Sequence, residues 1–248
     1  MAGSGLAEWL ALHELTAEQM QALTAAAPPA PDLTPMPPLP PLPPDAETIW
    51  SLAAEALTAA FPAGRDIITR TRNETRRNLA ADPARFPRAF TLWQPPYVSC
   101  PSGGGIKGLL TLAHEFGHAN QIFACQAWAN QIFACQISAC SPGAAQPPPI
   151  LREMAAFLTE LALLDHLART RPPLHAAARQ DFDAATRRIM TGPRQRLAAA
   201  LRAGSGAYRY DWNYPPARAA ALRVWGQGDR FRGWSVFDGR LKLASLLQ

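Results

Sequence analysis

The sequence predicts a mainly α-helical fold with a small β-sheet at one edge. Alanine and arginine are frequent and β-branched residues are scarce, which favours helices over strands. Residues 88–100 are the exception, because they are rich in aromatic and β-prone side chains. With 48% hydrophobic and 17% charged residues in 248, the composition is that of a globular protein large enough to bury a core.

Helical periodicity and turn signals divide the chain into elements. Asp45 is typical of a helix N-cap, and the sequence after residue 60 (FPAG) ends the helix that it begins. Pro95 and Pro96 break the β-prone stretch into two short strands. The predicted helices cover residues 6–26, 46–60, 65–80, a segment starting near Ile106, and residues 150–169, 174–190 and 194–203.

Composition also suggests four regions. Residues 1–27 form an N-terminal helical segment, and residues 28–44 are a linker in which more than half of the residues are proline. We expect the linker to be polyproline-like, either as a strap along the protein's own surface or as a ligand for an aromatic groove in a partner. Residues 45–225 form the main domain, and residues 226–248 have no pattern that indicates a role.

Charge and hydropathy argue against several classes of protein. The net charge of +5 comes from 24 basic and 19 acidic side chains that are spread along the chain, so solvated helix surfaces are favoured over a nucleic-acid-binding face. No apolar run is long enough to span a membrane. The N-terminus lacks a basic region, and Glu8 and Glu14 interrupt its apolar stretch, so we expect no secretory signal and a cytoplasmic location.

Four cysteines in a chain of this length do not predict a disulfide framework. Cys135 and Cys140 are spaced closely enough to be metal ligands, but no second pair matches them. Buried thiols are the favoured interpretation.

The motif HEFGH at residues 114–118 carries the clearest chemistry. His114 and His118 are four residues apart on a predicted helix, so both imidazoles project from one face and can hold one zinc ion. Glu115 lies beside that face, where it can act as general base toward a zinc-bound water. The alternative is two histidines and a solvated glutamate without a metal, but the apolar residues around the motif predict a buried helix, in which that arrangement is costly.

The helix predicted at 150–169 offers a third metal ligand. Glu153 and Glu160 lie on one side of a helix that is otherwise largely apolar, so both carboxylates need partners. A zinc ion would be the partner of the Glu153 carboxylate. Glu160 either accepts a hydrogen bond from the free N–H of a ligating histidine or is an exposed or salt-bridged carboxylate.

A tandem repeat separates the two motifs. Residues 119–128 read ANQIFACQAW, and residues 129–138 read ANQIFACQIS. Two copies of so short a unit do not make a solenoid, so a local duplication is the simpler explanation. The added residues either extend the motif helix by several turns or loop out of it.

These residues resemble the M3 family of zinc oligopeptidases, in particular its oligoendopeptidase F branch. The stretch from Arg88 through LAHEFGHA is similar to the family's edge strand and motif helix, and Glu153 with Glu160 resembles its second motif. Glu153 follows His118 by 35 residues, and removing one copy of the ten-residue repeat restores the family's spacing. The likeness covers roughly residues 35–225 and implies a zincin-like helical metallopeptidase domain that binds Zn²⁺ and cleaves short peptides in a deep channel.

The chain departs from that family in length and in its C-terminal part. Family members are more than twice as long, and their additional helical portion forms the opposite wall of the channel, so a partner chain that completes the channel stays possible. The resemblance implies an oxyanion donor among Tyr208, Tyr210 and Tyr214, with Tyr214 aligned best, although the same tyrosines would also serve as packing residues. The family's C-terminal histidine has no counterpart, because no histidine follows His175.

The sequence therefore predicts a zinc-dependent metalloendopeptidase that acts on short peptides. His114, His118 and Glu153 are the expected zinc ligands, and Glu115 is the expected general base. Tyr214, or else Tyr210, is the expected oxyanion donor. Two alternatives stay open: a catalytically impaired zinc-binding remnant of such an enzyme, and a proline-rich interaction module with a structural zinc site.

Overall fold

The computed structural model describes residues 5–25, 44–82, 84, 86–90, 95–101, 104–135 and 147–247. Within these residues the protein is mainly helical with one small three-stranded sheet, which confirms the predicted fold class at that level. Across the described residues, no helix is both long enough and apolar enough to cross a membrane. The predicted proline-rich linker lies almost entirely outside the described residues, as do Cys140 and the end of the second repeat copy.

The described residues contain three strands and ten α-helices. The strands are β1 (Arg76–Asn78), β2 (Arg88–Phe90) and β3 (Tyr97–Ser99). The helices are α1 (Leu6–Leu12), α2 (Ala17–Ala25), α3 (Ala46–Ala60), α4 (Arg65–Glu74), α5 (Ile106–Cys135), α6 (Pro149–Thr170), α7 (Pro172–Met190), α8 (Gly192–Ala203), α9 (Tyr214–Gly226) and α10 (Arg230–Phe237).

The helical periodicity of residues 6–26 corresponds to two helices, α1 and α2, with a turn between them. Glu14 adopts a positive φ of 53°, which ends α1 and turns the chain. Thr16 then begins α2 through a reciprocal pair of hydrogen bonds, in which its hydroxyl accepts from the Gln19 N–H and the Gln19 side chain accepts from the Thr16 N–H. This is a capping box, whose Thr-x-x-Gln pattern is visible in the sequence.

Helix α3 has the predicted bounds and the predicted cap. The side chain of Asp45 accepts a hydrogen bond from the Thr48 N–H at 2.7 Å, which satisfies one of the free donors of the first turn. Trp50 on α3 packs edge-on against Phe116 of α5, with ring centroids 4.7 Å apart. Helix α3 therefore lies directly against the helix that carries the histidine motif.

The segment after α4 corrects one expectation. The helix predicted over residues 65–80 ends at Glu74, because Thr75 is extended and residues 76–78 pair as β1 with β3. The strand order is β1-β3-β2, in which β1 runs parallel and β2 antiparallel to the central strand β3. Strands β2 and β3 confirm the sheet predicted from residues 88–100, whereas β1 was not predicted.

The centre of the protein is the crossing of α5 and α6. Gly117 lies at this crossing, and a Cβ atom there would come within 2.6 Å of the Thr159 hydroxyl and 2.7 Å of the Ala156 Cα. A glycine therefore lets the two helices approach closely enough for side chains of both to meet. Helix α6 is buried along nearly its whole length and also contacts α3, α7 and α9.

Helix α5 continues without a break through the first copy of the repeat and into the second as far as Cys135. In the described part, the duplication therefore extends the motif helix, which is one of the two expected outcomes. Phe123 of the first copy is buried, and Cys125 lies against the carbonyl of Phe237 in α10 at 3.3 Å.

The C-terminal third is more helical than the sequence indicates. Helices α7 and α8 match their predictions within two residues at each end, but α9 was not predicted, and it begins inside the aromatic run. Helix α10 packs against α5, α6 and α9, and Val236, Phe237 and Leu246 belong to the core. The N-terminal helices join the same core, since Trp9 donates its indole N–H to Asn213.

Candidate metal centre

Two helices bring three potential metal ligands together. His114 and His118 lie one turn apart on α5, with ring centroids 4.8 Å apart, and Glu153 comes from α6. The His114 Nε2 is 3.3 Å from Glu153 Oε2, and the His118 Nε2 is 3.9 Å from Glu153 Oε1. One ligand atom from each of the three residues lies within 4.8 Å of the other two, so the group could hold a metal ion.

The donor set is of a type that can bind a metal ion such as zinc. Ligand atoms on a tetrahedral zinc with bonds near 2.0–2.1 Å are about 3.3–3.4 Å apart, so the atoms of this group, which lie within 4.8 Å of one another, would have to move closer together. Glu153 is 2% exposed, and its Oε2 forms no well-aligned hydrogen bond among the described residues, its neighbour being the His114 Nε2 at 3.3 Å. A buried carboxylate is costly unless a cation or a proton compensates its charge.

The charges around His114 are coupled to those of the two carboxylates that it contacts. Burial by itself would lower the pKa of His114, but hydrogen bonds to Glu153 and Glu160 raise it to about 10. Burial likewise favours the neutral acid of Glu153, yet His114 and the charge of His118 hold the pKa of that carboxyl at about 2. The two carboxylates thus require a positive charge between them, which is a proton on His114 when no metal is bound.

His118 differs from His114 in its surroundings. Burial lowers the pKa of His118 to about 4, so its imidazole is neutral over the physiological range. A neutral imidazole with a free ring nitrogen is the form that ligates a metal.

Glu115 lies next to the ligands and is prepared for proton transfer. Its carboxylate accepts a hydrogen bond from the Ala89 N–H of strand β2, and its Oε2 has no partner among the described residues. Burial raises the pKa of Glu115 to about 7, although the charge of His114 and the Ala89 N–H oppose that shift. A carboxylate with such a pKa exchanges a proton readily near neutral pH.

Glu160 contacts the Nδ1 atom of His114. Its Oε1 lies 2.7 Å from the His114 Nδ1, and its Oε2 accepts a hydrogen bond from Arg218 at 2.9 Å. Both contacts that the sequence left open are present, since the Glu160 carboxylate contacts the candidate ligand His114 and is also salt-bridged to Arg218. Arg218, on the unpredicted helix α9, was missed, although a lone arginine within an alanine-rich stretch (PPARAAA) was a signal.

Tyr208, Tyr210 and Tyr214 make different contacts in the region of Glu153. Tyr210 donates its hydroxyl proton to Glu153 Oε1 at 2.6 Å, while its ring stays 45% exposed. Tyr214 lies beside it, with ring centroids 5.8 Å apart, and also packs against Phe157. Burial raises the pKa of both tyrosines, and the negative Glu153 raises it further, so both hydroxyls stay protonated donors. Tyr208 is farther out and accepts a hydrogen bond from Asn213.

Comparisons with protein-family models, with curated proteins and with solved structures found no match to this chain. The residues of the site are therefore the basis for assigning a function.

Proposed function

We propose that this protein is a zinc-dependent endopeptidase with a zincin-like, M3-like catalytic domain that hydrolyses short peptides. The observation that carries the proposal is the buried carboxylate of Glu115, with one oxygen that has no partner in the part of the chain that the structure describes, beside the His114, His118 and Glu153 group. A general base next to three ligands of the histidine, histidine and glutamate type is the arrangement of catalytic rather than structural zinc sites.

The three candidate ligands leave room for catalysis. Three protein ligands occupy three of the four tetrahedral positions, and catalytic zinc sites leave the fourth to water or substrate. When bound there, zinc would supply Lewis acidity, which makes a water proton easier to remove and polarises a carbonyl group.

Glu115 would move the proton in such a reaction. Without a metal the pKa of Glu115 is about 7, and a cation at the ligand group would lower it, so the carboxylate would be ionised at neutral pH and could accept the proton of the attacking water. The resulting carboxylic acid then donates that proton to the leaving amine. The N–H of Ala89 holds one side of this carboxylate in place, so that the unpartnered oxygen can take the proton.

Strand β2 supports a peptide as the substrate class. It is an edge of the sheet formed by the described strands, since the order is β1-β3-β2. Its residue Ala89 contacts the general base, so this edge runs alongside the site. An extended peptide can add to such an edge through main-chain hydrogen bonds, and that would bring a peptide bond next to Glu115.

The test is cleavage of a quenched fluorescent peptide library by the zinc-loaded protein. We expect cleavage by the wild type and a loss of about a hundredfold or more in Glu115→Gln, because removing a positioned general base costs roughly 10²–10⁴ in rate. Zinc content, measured by elemental analysis, should be unchanged in Glu115→Gln and lost in His118→Ala. Equal cleavage by wild type and Glu115→Gln would refute the role of Glu115.

A second candidate function is metal binding without turnover. It is favoured by the contact of the Tyr210 hydroxyl with Glu153, which occupies a donor that an oxyanion would need. The absence of a histidine after His175 points the same way, because loss of one oxyanion donor costs about 10²–10³ in turnover. This alternative predicts one bound zinc ion per chain and no cleavage of any peptide in the library.

A further inference from the structure

Arg218 is a buried cation close to the candidate metal centre. Its side chain is 1% exposed, and its guanidinium carbon lies 4.0 Å from the ring centroid of Phe157 and 4.1 Å from that of Phe182. The planar group is therefore held between two aromatic rings, which fixes its orientation. From this position it donates a hydrogen bond of 2.9 Å to Glu160 Oε2.

Glu160 connects Arg218 to the metal centre. The carboxylate uses Oε2 for Arg218 and Oε1 for the His114 Nδ1, so each oxygen has its own partner. When a neutral His114 donates through Nδ1, its Nε2 has no proton and can bind a metal, and Nε2 is the atom that lies 3.3 Å from Glu153 Oε2. The orientation of Glu160 thus decides which ring nitrogen of His114 is available to a metal.

The ion pair itself is not a sufficient reason for this arrangement. Two buried charges cost desolvation that their attraction roughly offsets, so a buried ion pair contributes little net stability. Its geometric effect is larger, because a carboxylate anchored at one oxygen cannot rotate away from the histidine at the other.

We propose that Arg218 is a positioning residue for the metal centre, acting through Glu160 to fix the ring orientation and tautomer of His114. This inference rests on the proposed function, since it assumes that His114 binds zinc. Arg218 contacts Glu160, Phe157 and Phe182, so its effect on the ligand group is carried by Glu160. A lysine would keep the charge but not the planar stacking between Phe157 and Phe182.

Zinc affinity of the full chain tests the proposal. We expect Arg218→Met to bind zinc about tenfold more weakly than the wild type in competition with a chromophoric chelator, in line with the roughly 10–100-fold effect of residues that support metal ligands. The visible absorption spectrum of the cobalt-loaded variant should also change. Arg223→Met, the same substitution five residues further along α9, is the matched control and should bind as the wild type does.

A double-mutant cycle with Glu160→Gln separates action through Glu160 from a general effect on packing. If Arg218 acts through Glu160, Arg218→Met causes no further loss of zinc affinity once Glu160→Gln is present. Wild-type affinity in a folded Arg218→Met, or an additive loss in the double variant, would overturn the proposal. Failure of the wild type itself to bind zinc would instead refute the proposed function.

The double variant also covers the case in which a single variant does not fold. Glu160→Gln with Arg218→Met removes both charges of the pair, so that neither stays buried without the other, and circular dichroism should show a folded helical protein. Its zinc affinity should be at least tenfold below that of the wild type. Wild-type affinity in this neutral pair would overturn the positioning role.

Discussion

Tyr210 and Tyr214 occupy adjacent positions but have different relations to the metal centre. The hydroxyl of Tyr210 is committed to Glu153, whereas the ring of Tyr214 packs between Tyr210 and Phe157. The structure thus assigns Tyr210 to support of a candidate ligand. Tyr214 stays the proposed oxyanion donor, as the family resemblance implies.

This division of roles predicts different phenotypes for two matched variants. Tyr210→Phe removes the hydrogen bond to Glu153 and should weaken zinc binding by about tenfold. Tyr214→Phe should leave zinc affinity within about twofold of the wild type while lowering peptide turnover by about a hundredfold. Chelator competition measures the first effect and the peptide library the second. Equal zinc affinity in Tyr210→Phe and the wild type would contradict the support role.

The residues that could be predicted from the sequence are those whose spacing has a direct chemical meaning. Four residues of separation on a helix were enough to pair His114 with His118, and the apolar surroundings of Glu153 and Glu160 required partners for them. Arg218 and Ala89 could not be predicted in the same way. Their contacts depend on which helix and which strand fold back onto the motif, and that is a property of the tertiary structure.

At the scale of elements, the close crossing of α5 and α6 decides whether the site forms. Gly117 is part of the histidine motif and also the point where α5 meets the backbone of α6. The backbone of α6 cannot move aside as a flexible side chain would. A methyl group at Gly117 therefore has to push the helices apart, and with them the histidines and Glu153.

Gly117→Ala should accordingly destabilise the protein and the metal centre together. We expect a loss of about 1–3 kcal/mol in the free energy of unfolding, the usual cost of an overpacked core, and weaker zinc binding. Chemical denaturation measures the first quantity and chelator competition the second. Gly226→Ala at the end of α9 is the control, because a Cβ there meets no atom within 4 Å. Equal stability of Gly117→Ala and the wild type would show that the crossing of α5 and α6 can accept a methyl group, which would contradict this prediction.

Element prediction succeeded where local signals were strong and were not contradicted by tertiary contacts. The Asp45 cap and the proline before α6 both mark helix ends that the structure contains. The capping box at Thr16 was a local signal that the helical periodicity of residues 6–26 concealed. Strand β1 has no local signal, since its arginines and asparagine pair only because β3 lies beside them.

At the scale of the whole molecule, His13 links the N-terminal helices to the helix that carries Glu153. Its Nδ1 lies 2.7 Å from the Trp9 carbonyl, and its Nε2 accepts a hydrogen bond from the Ile150 N–H in the first turn of α6. Accepting at Nε2 requires a neutral imidazole. Burial lowers the pKa of His13 from 6.5 to about 4. The hydrogen bond to the Trp9 carbonyl opposes this shift, and the positive charge of Arg152 lowers the pKa further.

His13 therefore predicts a specific dependence of stability on pH. The folded protein holds His13 neutral down to about pH 4, whereas the unfolded chain binds a proton near pH 6.5, so unfolding takes up a proton between these values. The contribution is complete above about pH 6.5 and is lost as the pH falls toward 4. The loss is up to about 3 kcal/mol, because one pKa unit corresponds to about 1.4 kcal/mol.

His13→Gln tests this prediction, because glutamine can still accept from the Ile150 N–H but does not titrate. Denaturation of metal-free protein between pH 4 and 7 should give a difference between wild type and His13→Gln that grows in favour of the wild type as the pH rises. Other titrating groups, such as His118, are common to both proteins and cancel in the difference. Thr24→Val, at a buried position on α2 where neither side chain titrates, is the control and should give a difference independent of pH. If the stability difference between wild type and His13→Gln is also independent of pH, the contact between α1 and α6 does not depend on the charge of His13.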